Sequence, residues 1–260
     1  MTTPENPYEI IRYQEVDSTN AIALDLGGRG APHGTVVQAT VQSGGKGRQS
    51  RLFSSPLAGL YMSMVLRPEL SGNDLPLVTL AAGVATAFAI EKFTELQIQL
   101  KWPNDLYVNG RKLGGILTEA APYSQESNSI PYVVVGIGIN VNTQSQSFPE
   151  SLQEAITSLY CQTNQEYNIE QILLTLVDEL LGEVNLLQVN KKNVLDHWQD
   201  RDYLLKKKLC WQDPQGNVIN GVGMGLLNDG KYQLTTSEGE DFSVLAGDII
   251  LTEINGRQIK

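Results

Sequence analysis

Cysteine is nearly missing: Cys161 and Cys210 are the only two in 260 residues. Two thiols cannot build a disulfide framework, and their separation fits no metal-ligand spacing. Both are expected to be structural, in a reduced cytoplasm, and no protein-held metal is expected. Long apolar runs are missing too. No uncharged apolar stretch reaches the roughly 18 residues that a membrane span needs, and the most apolar segment, Leu75 to Ile90, is broken by small residues and reads as a buried helix. The opening MTTPENPYEI has neither a basic nor an apolar signal region, so no secretory leader is expected. Basic residues are also scarce. Against 29 Asp and Glu stand 19 Lys and Arg, a formal net charge of −10. Holding a phosphate backbone takes a basic face, so nucleic acid is not expected as the main partner.

An apolar fraction of 41% and a charged fraction of 18% suit a globular chain with a substantial core. Its length allows one large or two modest domains. Strand character runs over Tyr8–Val16, after which Asp17-Ser18-Thr19-Asn20 opens a helix with N-cap chemistry. Further strands are expected at Gly34–Gln42, Leu60–Leu66, Ile98–Trp102, Leu106–Val108, Leu113–Thr118 and Tyr132–Val141. The last is almost wholly apolar and therefore central. Asn109-Gly110 is a strong hairpin turn, since both residues tolerate positive φ. Helices are expected from Asn73 to Phe93, capped by Asn73 or Asp74, and over Ile169–Leu187 and Val194–Tyr203. After Lys206-Lys207-Lys208 the pattern changes to short β-prone runs separated by turns, the mark of a small barrel of about five strands over Leu209–Glu253. The division is placed between residues 1–205 and 206–260.

Two glycine motifs resemble nucleotide sites and fail. Gly44-Gly45-Lys46-Gly47 lacks the earlier glycine of a P-loop and has Gly where Ser or Thr should follow the lysine. Gly136-Ile137-Gly138-Ile139-Asn140 lacks the third glycine of a dinucleotide fingerprint. The loop Ser43–Arg51 still asks for an anion, because its glycines bare backbone N–H groups and Lys46, Arg48 and Arg51 add three cations. Those cations repel one another and give the loop little reason to be ordered when empty. Farther on, Lys101-Trp102-Pro103-Asn104-Asp105 and the hairpin after it bring Lys112 back beside the first strand. Gly114-Gly115 in a β-prone run suggests close approach of a ligand or backbone.

Taken in order, Asp17-Ser18-Thr19-Asn20, Gln42 with Gly45-Lys46-Gly47-Arg48 and Arg51, Ser55-Pro56, Leu60-Tyr61, Lys101-Trp102-Pro103-Asn104-Asp105, Lys112-Leu113 and Gly136-Ile137-Gly138-Ile139-Asn140 resemble the biotin–protein ligases. The resemblance is dense from Asp17 to about Asn142. It implies an α+β fold: a catalytic domain of mixed sheet and helices similar to class II aminoacyl-tRNA synthetases, then an SH3-like barrel. It implies biotin, ATP and Mg²⁺ as ligands and a biotin carboxyl carrier protein or domain as acceptor, and it leaves a homodimer open. Some members carry an N-terminal winged helix that represses transcription. With so few residues ahead of Ser18, this chain is expected in the ligase-only group.

The same resemblance assigns roles. Ser18, Thr19, Asn20 and Gln42 match the site for biotin's ureido ring. Lys112 matches the catalytic lysine that reaches both the biotin carboxylate and the α-phosphate. Arg48 matches the arginine whose loop closes over the intermediate, with Lys46 and Arg51 as supporting phosphate contacts. Asp105 lies near the reacting centre, where it would orient the incoming lysine or serve only to stabilise the turn. Asn104 and Asn140 match the adenine and ribose end, and Phe53 stands where the family has a tryptophan covering the ligand. Gly45, Gly47, Trp102, Gly114, Gly115, Gly136 and Gly138 complete the expected ligand-binding set. Three departures are visible: Lys46 for the usual arginine keeps charge and loses the bidentate fork, Phe53 for the tryptophan keeps an apolar cover without the indole N–H, and the Ser55–Tyr61 stretch is one residue shorter and lacks the common asparagine. The rivals are a lipoate–protein ligase, whose dithiolane offers a ureido site nothing to bond, and a catalytically silent biotin-binding regulator, which intact Lys112 and Arg48 disfavour.

Overall fold

The computed structural model describes residues 8–72, 74–123, 130–212, 216–244, 247–254 and 257–258. Seven strands form a mixed sheet in the order β1-β2-β3-β7-β6-β5-β4. They are β1 (Ile10–Val16), β2 (Thr35–Gln42), β3 (Leu60–Leu66), β4 (Gln99–Lys101), β5 (Asp105–Val108), β6 (Arg111–Ala120) and β7 (Val133–Ile139). Only the β1–β2 pair is parallel; the other neighbours run antiparallel. β7 is the fourth of the seven, so its apolar run marks the centre of the sheet, as its sequence predicts.

That run does not alternate because both faces are covered. Helix α1 (Thr19–Gly28) lies on one face, where Ala23 packs with Val37, Val65 and Val134. On the other lies α2 (Leu77–Glu91), against which α4 (Ile169–Val189) and α5 (Lys191–Gln199) pack, and Val36, Met64, Val133 and Val135 belong to the core there. Val36 and Val37, or Met64 and Val65, are chain neighbours that feed opposite cores, as the two-residue period of a strand requires. The Asn109-Gly110 turn is as expected, with φ of 48° and 78°.

Several boundaries differ from the sequence reading. Helix α2 starts at Leu77 with Pro76 at its N-cap, not near residue 73, and the chain before it makes a turn: the Leu77 N–H bonds the Asp74 carbonyl at 3.0 Å. The Asp74 side chain is held by Ser71 and Lys191 and caps nothing, and Asn73 lies outside the described residues. Ser18 sits at the N-cap of α1 with no side-chain capping bond. Strand β6 runs the full ten residues from Arg111 to Ala120. A short helix, α3 (Leu159–Thr163), has no counterpart in the expected elements.

The C-terminal part forms a separate five-stranded antiparallel sheet, β11-β10-β9-β8-β12, from Lys208–Gln212 (β8), Val218–Leu226 (β9), Tyr232–Thr235 (β10), Asp241–Val244 (β11) and Asp248–Leu251 (β12). Its inward side chains Leu209, Tyr232, Leu234 and Ile249 belong to the same apolar core as α2 and α4. Three polar ties fasten it to the N-terminal part of the chain. The Trp102 indole N–H donates to the Gly230 carbonyl at 3.1 Å, the Tyr232 hydroxyl to Asp202 at 2.8 Å, and the Leu226 N–H to Gln199 at 2.8 Å.

Candidate active site

A cavity of about 400 Å³ opens where α1, the end of β2, the loop after it, and strands β5, β6 and β7 meet. Its wall holds Ser18, Thr19, Asn20, Gln42, Lys46, Gly47, Arg48, Arg51, Phe53, Trp102, Asn104, Asp105, Lys112, Gly115, Gly136 and Gly138. Segments more than a hundred residues apart in the chain thus converge on one space.

One end is polar and uncharged. The Thr19 N–H donates to Gln42 Oε1 at 2.8 Å, and the Gln42 amide nitrogen donates to the Ser55 hydroxyl at 2.9 Å. Asn20 reaches from the first turn of α1 to the Leu117 carbonyl at 3.1 Å and to Glu119 at 2.8 Å. Ser63, fully buried in β3, lies 2.7 Å from the Thr19 hydroxyl and 2.6 Å from Asn20 Oδ1. Burial makes each of these bonds costly to lose, so the groups hold one another rigidly.

The other end is cationic. Lys112 Nζ stands 2.6 Å from Asp105 Oδ1, with both side chains about two-thirds buried or more. A bulge in the β5–β6 ladder produces this pairing. Asp105 lies opposite Gly115 and Leu106 opposite Gly114, but Tyr107 then meets Lys112, with Leu113 passed over. Asp105 and Tyr107 share a face, so the skipped residue turns Lys112 onto the face of Asp105. Beyond it the Arg48 guanidinium donates to Asn104 Oδ1 at 3.3 Å, while Asn104 Nδ2 donates to the Ile116 carbonyl at 2.7 Å. The loop that carries Arg48 is shaped by its own backbone bonds. A Gly47 N–H to Arg51 carbonyl bond, a Phe53 N–H to Gly45 carbonyl bond and a Lys46–Leu52 bridge pin it. The Trp102–Pro103 peptide is cis.

Three expected residues do not line the cavity: Gly45, Gly114 and Asn140. A Cβ at Gly45 would strike the Phe53 carbonyl, and one at Gly114 the Gly138 carbonyl, so both are small for close backbone packing. Asn140 is buried, and its amide donates to the Thr157 carbonyl at 2.9 Å, away from the space its motif suggested. Gly136 and Gly138 do line it, for an indirect reason. A Cβ at Gly136 would collide with the Asn20 amide, and one at Gly138 with the Phe53 ring. The two glycines make room for side chains that face the cavity. Lys101, quoted in its motif but given no role, also lines the cavity, as do Met62 and, from the second sheet, Ile249 and Ile250, which the sequence does not single out. The isoleucines carried no signal, because an apolar β-run reads as core until its neighbours are known.

Burial shapes the titration nearby. It raises the Tyr107 hydroxyl above its ordinary range, and the charge of Asp105 adds to that. Behind the site Asp202 is pushed up to about 6 by burial, against the opposing bonds from Leu204 and Tyr232.

A family model described as the biotin/lipoate A/B protein ligase family matches residues 13–140. The chain is 41% identical to the bifunctional ligase/repressor BirA of Bacillus subtilis over 253 residues, covering 88% of this chain and 70% of that one. A Bacillus spizizenii homologue of the same description is 44% identical but matches over only 45% of its own length. The biotin--[acetyl-CoA-carboxylase] ligase of Mycobacterium tuberculosis is 29% identical over 91% of this chain and 86% of that one. Among solved structures, the Aquifex aeolicus biotin protein ligase in complex with biotin and ATP superposes with a TM-score of 0.80 at 28% identity, covering 96% and 99% of the two chains.

Proposed function

Because the chain belongs to the biotin/lipoate A/B protein ligase family, we propose that it joins biotin to ATP as biotinyl-adenylate and passes the biotin to a lysine of an acceptor protein. The observation that carries this reading is one cavity with an uncharged hydrogen-bonding end at Thr19 and Gln42 and a cationic end at Lys112 and Arg48. Biotin has that same polarity: a ureido ring at one end and a carboxylate at the other.

The first step brings two anions together. A carboxylate of pKa about 4–5 is ionised at neutral pH, and its oxygen must attack an α-phosphate that is also negative. A carboxylate oxygen–phosphorus bond forms and the bond to pyrophosphate breaks. Preorganised cations lower the cost of this approach. Lys112, aimed by the bulge, holds the carboxylate and the α-phosphate together. Arg48, with Lys46 and Arg51, meets the phosphates from the loop. Phe53 covers the apolar part of the ligand, and Asn104 fixes the Arg48 guanidinium. In the second step the acceptor's amine attacks the acyl carbon, AMP leaves, and Asp105 orients the incoming amine. The C-terminal sheet, the SH3-like unit that the resemblance implies, adds Ile249 and Ile250 to the cavity wall.

Mg²⁺ fits this chain poorly as a protein-held ion. Among the described residues no three His, Cys, Asp or Glu side chains converge, and Asp105 is already paired with Lys112. No step is drawn through it. A biotin carboxyl carrier domain in the cytoplasm is the acceptor that this chemistry suits, and among the described residues no helix is long and apolar enough to cross a membrane. The test is biotin-dependent exchange of pyrophosphate into ATP, run beside lipoate. Exchange with biotin alone supports the reading, and exchange with lipoate alone replaces it.

A further inference from the structure

Glu119 and Ser63 stand behind the cavity wall, yet their bonds decide which atoms Thr19 turns toward it. The Asn20 amide nitrogen faces the Leu117 carbonyl at 3.1 Å and Glu119 Oε2 at 2.8 Å. Both partners only accept, so the amide cannot be reversed, and Oδ1 must be the atom facing Ser63. Gly136 leaves the room in which that amide sits. The Ser63 hydroxyl is 2.6 Å from Asn20 Oδ1 and 2.7 Å from the Thr19 hydroxyl. An amide oxygen has no proton to give, so Ser63 gives its own to Asn20. Any bond between Thr19 and Ser63 then needs the Thr19 proton.

The opposite side of Thr19 has the same polarity. Gln42 Oε1 accepts the Thr19 N–H at 2.8 Å and lies 3.1 Å from the Thr19 hydroxyl, while its nitrogen is committed to Ser55 at 2.9 Å. Two hydroxyls thus stand between two carbonyl oxygens, and both protons are drawn into the chain. What remains for the cavity is a lone pair on Thr19 Oγ1.

We infer that Glu119 is a positioning residue: by fixing Asn20, it makes Thr19 an acceptor that selects a ligand presenting an N–H at that point. This rests on the biotin reading, and it deepens it. A ureido ring carries N–H donors, whereas a dithiolane, a carboxylate or a bare carbonyl placed there meets a lone pair and is rejected.

The test compares Glu119→Ala, Glu119→Gln and Ser63→Ala with the unmodified protein. Biotin-dependent pyrophosphate exchange is followed together with ¹⁵N spectra of the Asn20 side-chain amide. Glu119→Ala should raise the KM for biotin about tenfold or more, with kcat and the KM for ATP within about twofold. Glu119→Gln should stay within about threefold, because its amide oxygen still accepts from Asn20. The Asn20 amide protons should exchange slowly in the unmodified protein and in Glu119→Gln, and quickly in Glu119→Ala. An unchanged KM for biotin in Glu119→Ala, or equal losses in the Gln and Ala variants, would overturn the inference. If Glu119→Ala does not fold, Ser63→Ala decides: a raised KM for biotin at constant KM for ATP supports the chain, and an unmoved one overturns it. If the unmodified protein shows no exchange with biotin at all, the functional reading has failed. The Asn20 amide then settles the positioning by itself, for if its exchange is the same in all four proteins Glu119 holds nothing.

Discussion

Lys112 Nζ and Asp105 Oδ1 lie 2.6 Å apart although their strands, paired regularly, would set Leu113 rather than Lys112 beside Tyr107. One skipped residue turns a lysine that would otherwise point off the site onto a carboxylate inside it. The same bulge that breaks the ladder therefore places the cation on which the proposed adenylation depends.

Replacing Lys112 by Ala should lower pyrophosphate exchange by about 10²–10³, the usual cost of removing one preorganised charge partner of the reacting atoms. The change breaks a partly exposed pair at the cavity wall and leaves no cavity in the core, so the unfolding temperature should move by only a few degrees. Near-normal exchange would show that Lys112 serves the hairpin and not the chemistry.

Gly136→Ala should impair biotin use without touching any charged group. The added methyl collides with the Asn20 amide and pushes it off its bonds to Leu117 and Glu119. A KM for biotin raised about tenfold, with the KM for ATP nearly constant, is the expected pattern. A uniform loss of both would place the damage in the backbone of β7 instead.

Much of this was legible from residues alone. The apolar runs of β3 and β7, the Asn109-Gly110 turn, the helical spacing of α4 and the change of pattern after Lys208 are local signals, and the chain obeys them. The bulge at Leu113 was not legible, since a strict two-residue period groups Lys112 with Gly114. Nor was the actual use of the glycines. Gly136 and Gly138 look like ligand approaches in a linear motif, but their free space is filled by Asn20 and Phe53, which come from distant segments. Asn140 shows the reverse error: a motif position that turns inward to hold the Thr157 carbonyl. Ser63 and Glu119 carry no motif at all, and only the fold shows that they bond the residues that do.

Stability should report Asp202. Its carboxyl sits at about 6 in the fold, raised from 3.8 by burial. A raised carboxyl favours the folded state fully below about pH 4, and that contribution is lost as pH rises through 6, on the order of 3 kcal/mol in all. Asp74 and Asp229 are lowered and act in the opposite direction, so the informative quantity is a difference between proteins. Asp202→Asn should gain on the unmodified protein between pH 4 and pH 7 in urea unfolding. Parallel stability curves across that window would mean that Asp202 is not held protonated.

Arg48→Gly should weaken retention of the adenylate more than binding of biotin. Arg48 lies at the cationic end of the cavity and is steadied by Asn104, and in the proposed reaction its loss opens the loop over the acyl-phosphate bond. Released adenylate acylates amines unaided, and an unrelated protein added to the mixture should gain label. Retention as tight as in the unmodified protein, with no stray labelling, would reduce Arg48 to a surface charge.

The account as a whole turns on transfer. The purified protein, labelled biotin, ATP, Mg²⁺ and a biotin carboxyl carrier domain are mixed, and label is followed into the carrier. The prediction is label on a single lysine of the carrier, dependent on ATP and abolished by Lys112→Ala. A carrier that stays unlabelled while the protein binds biotin, or labelling that survives without ATP, would contradict it.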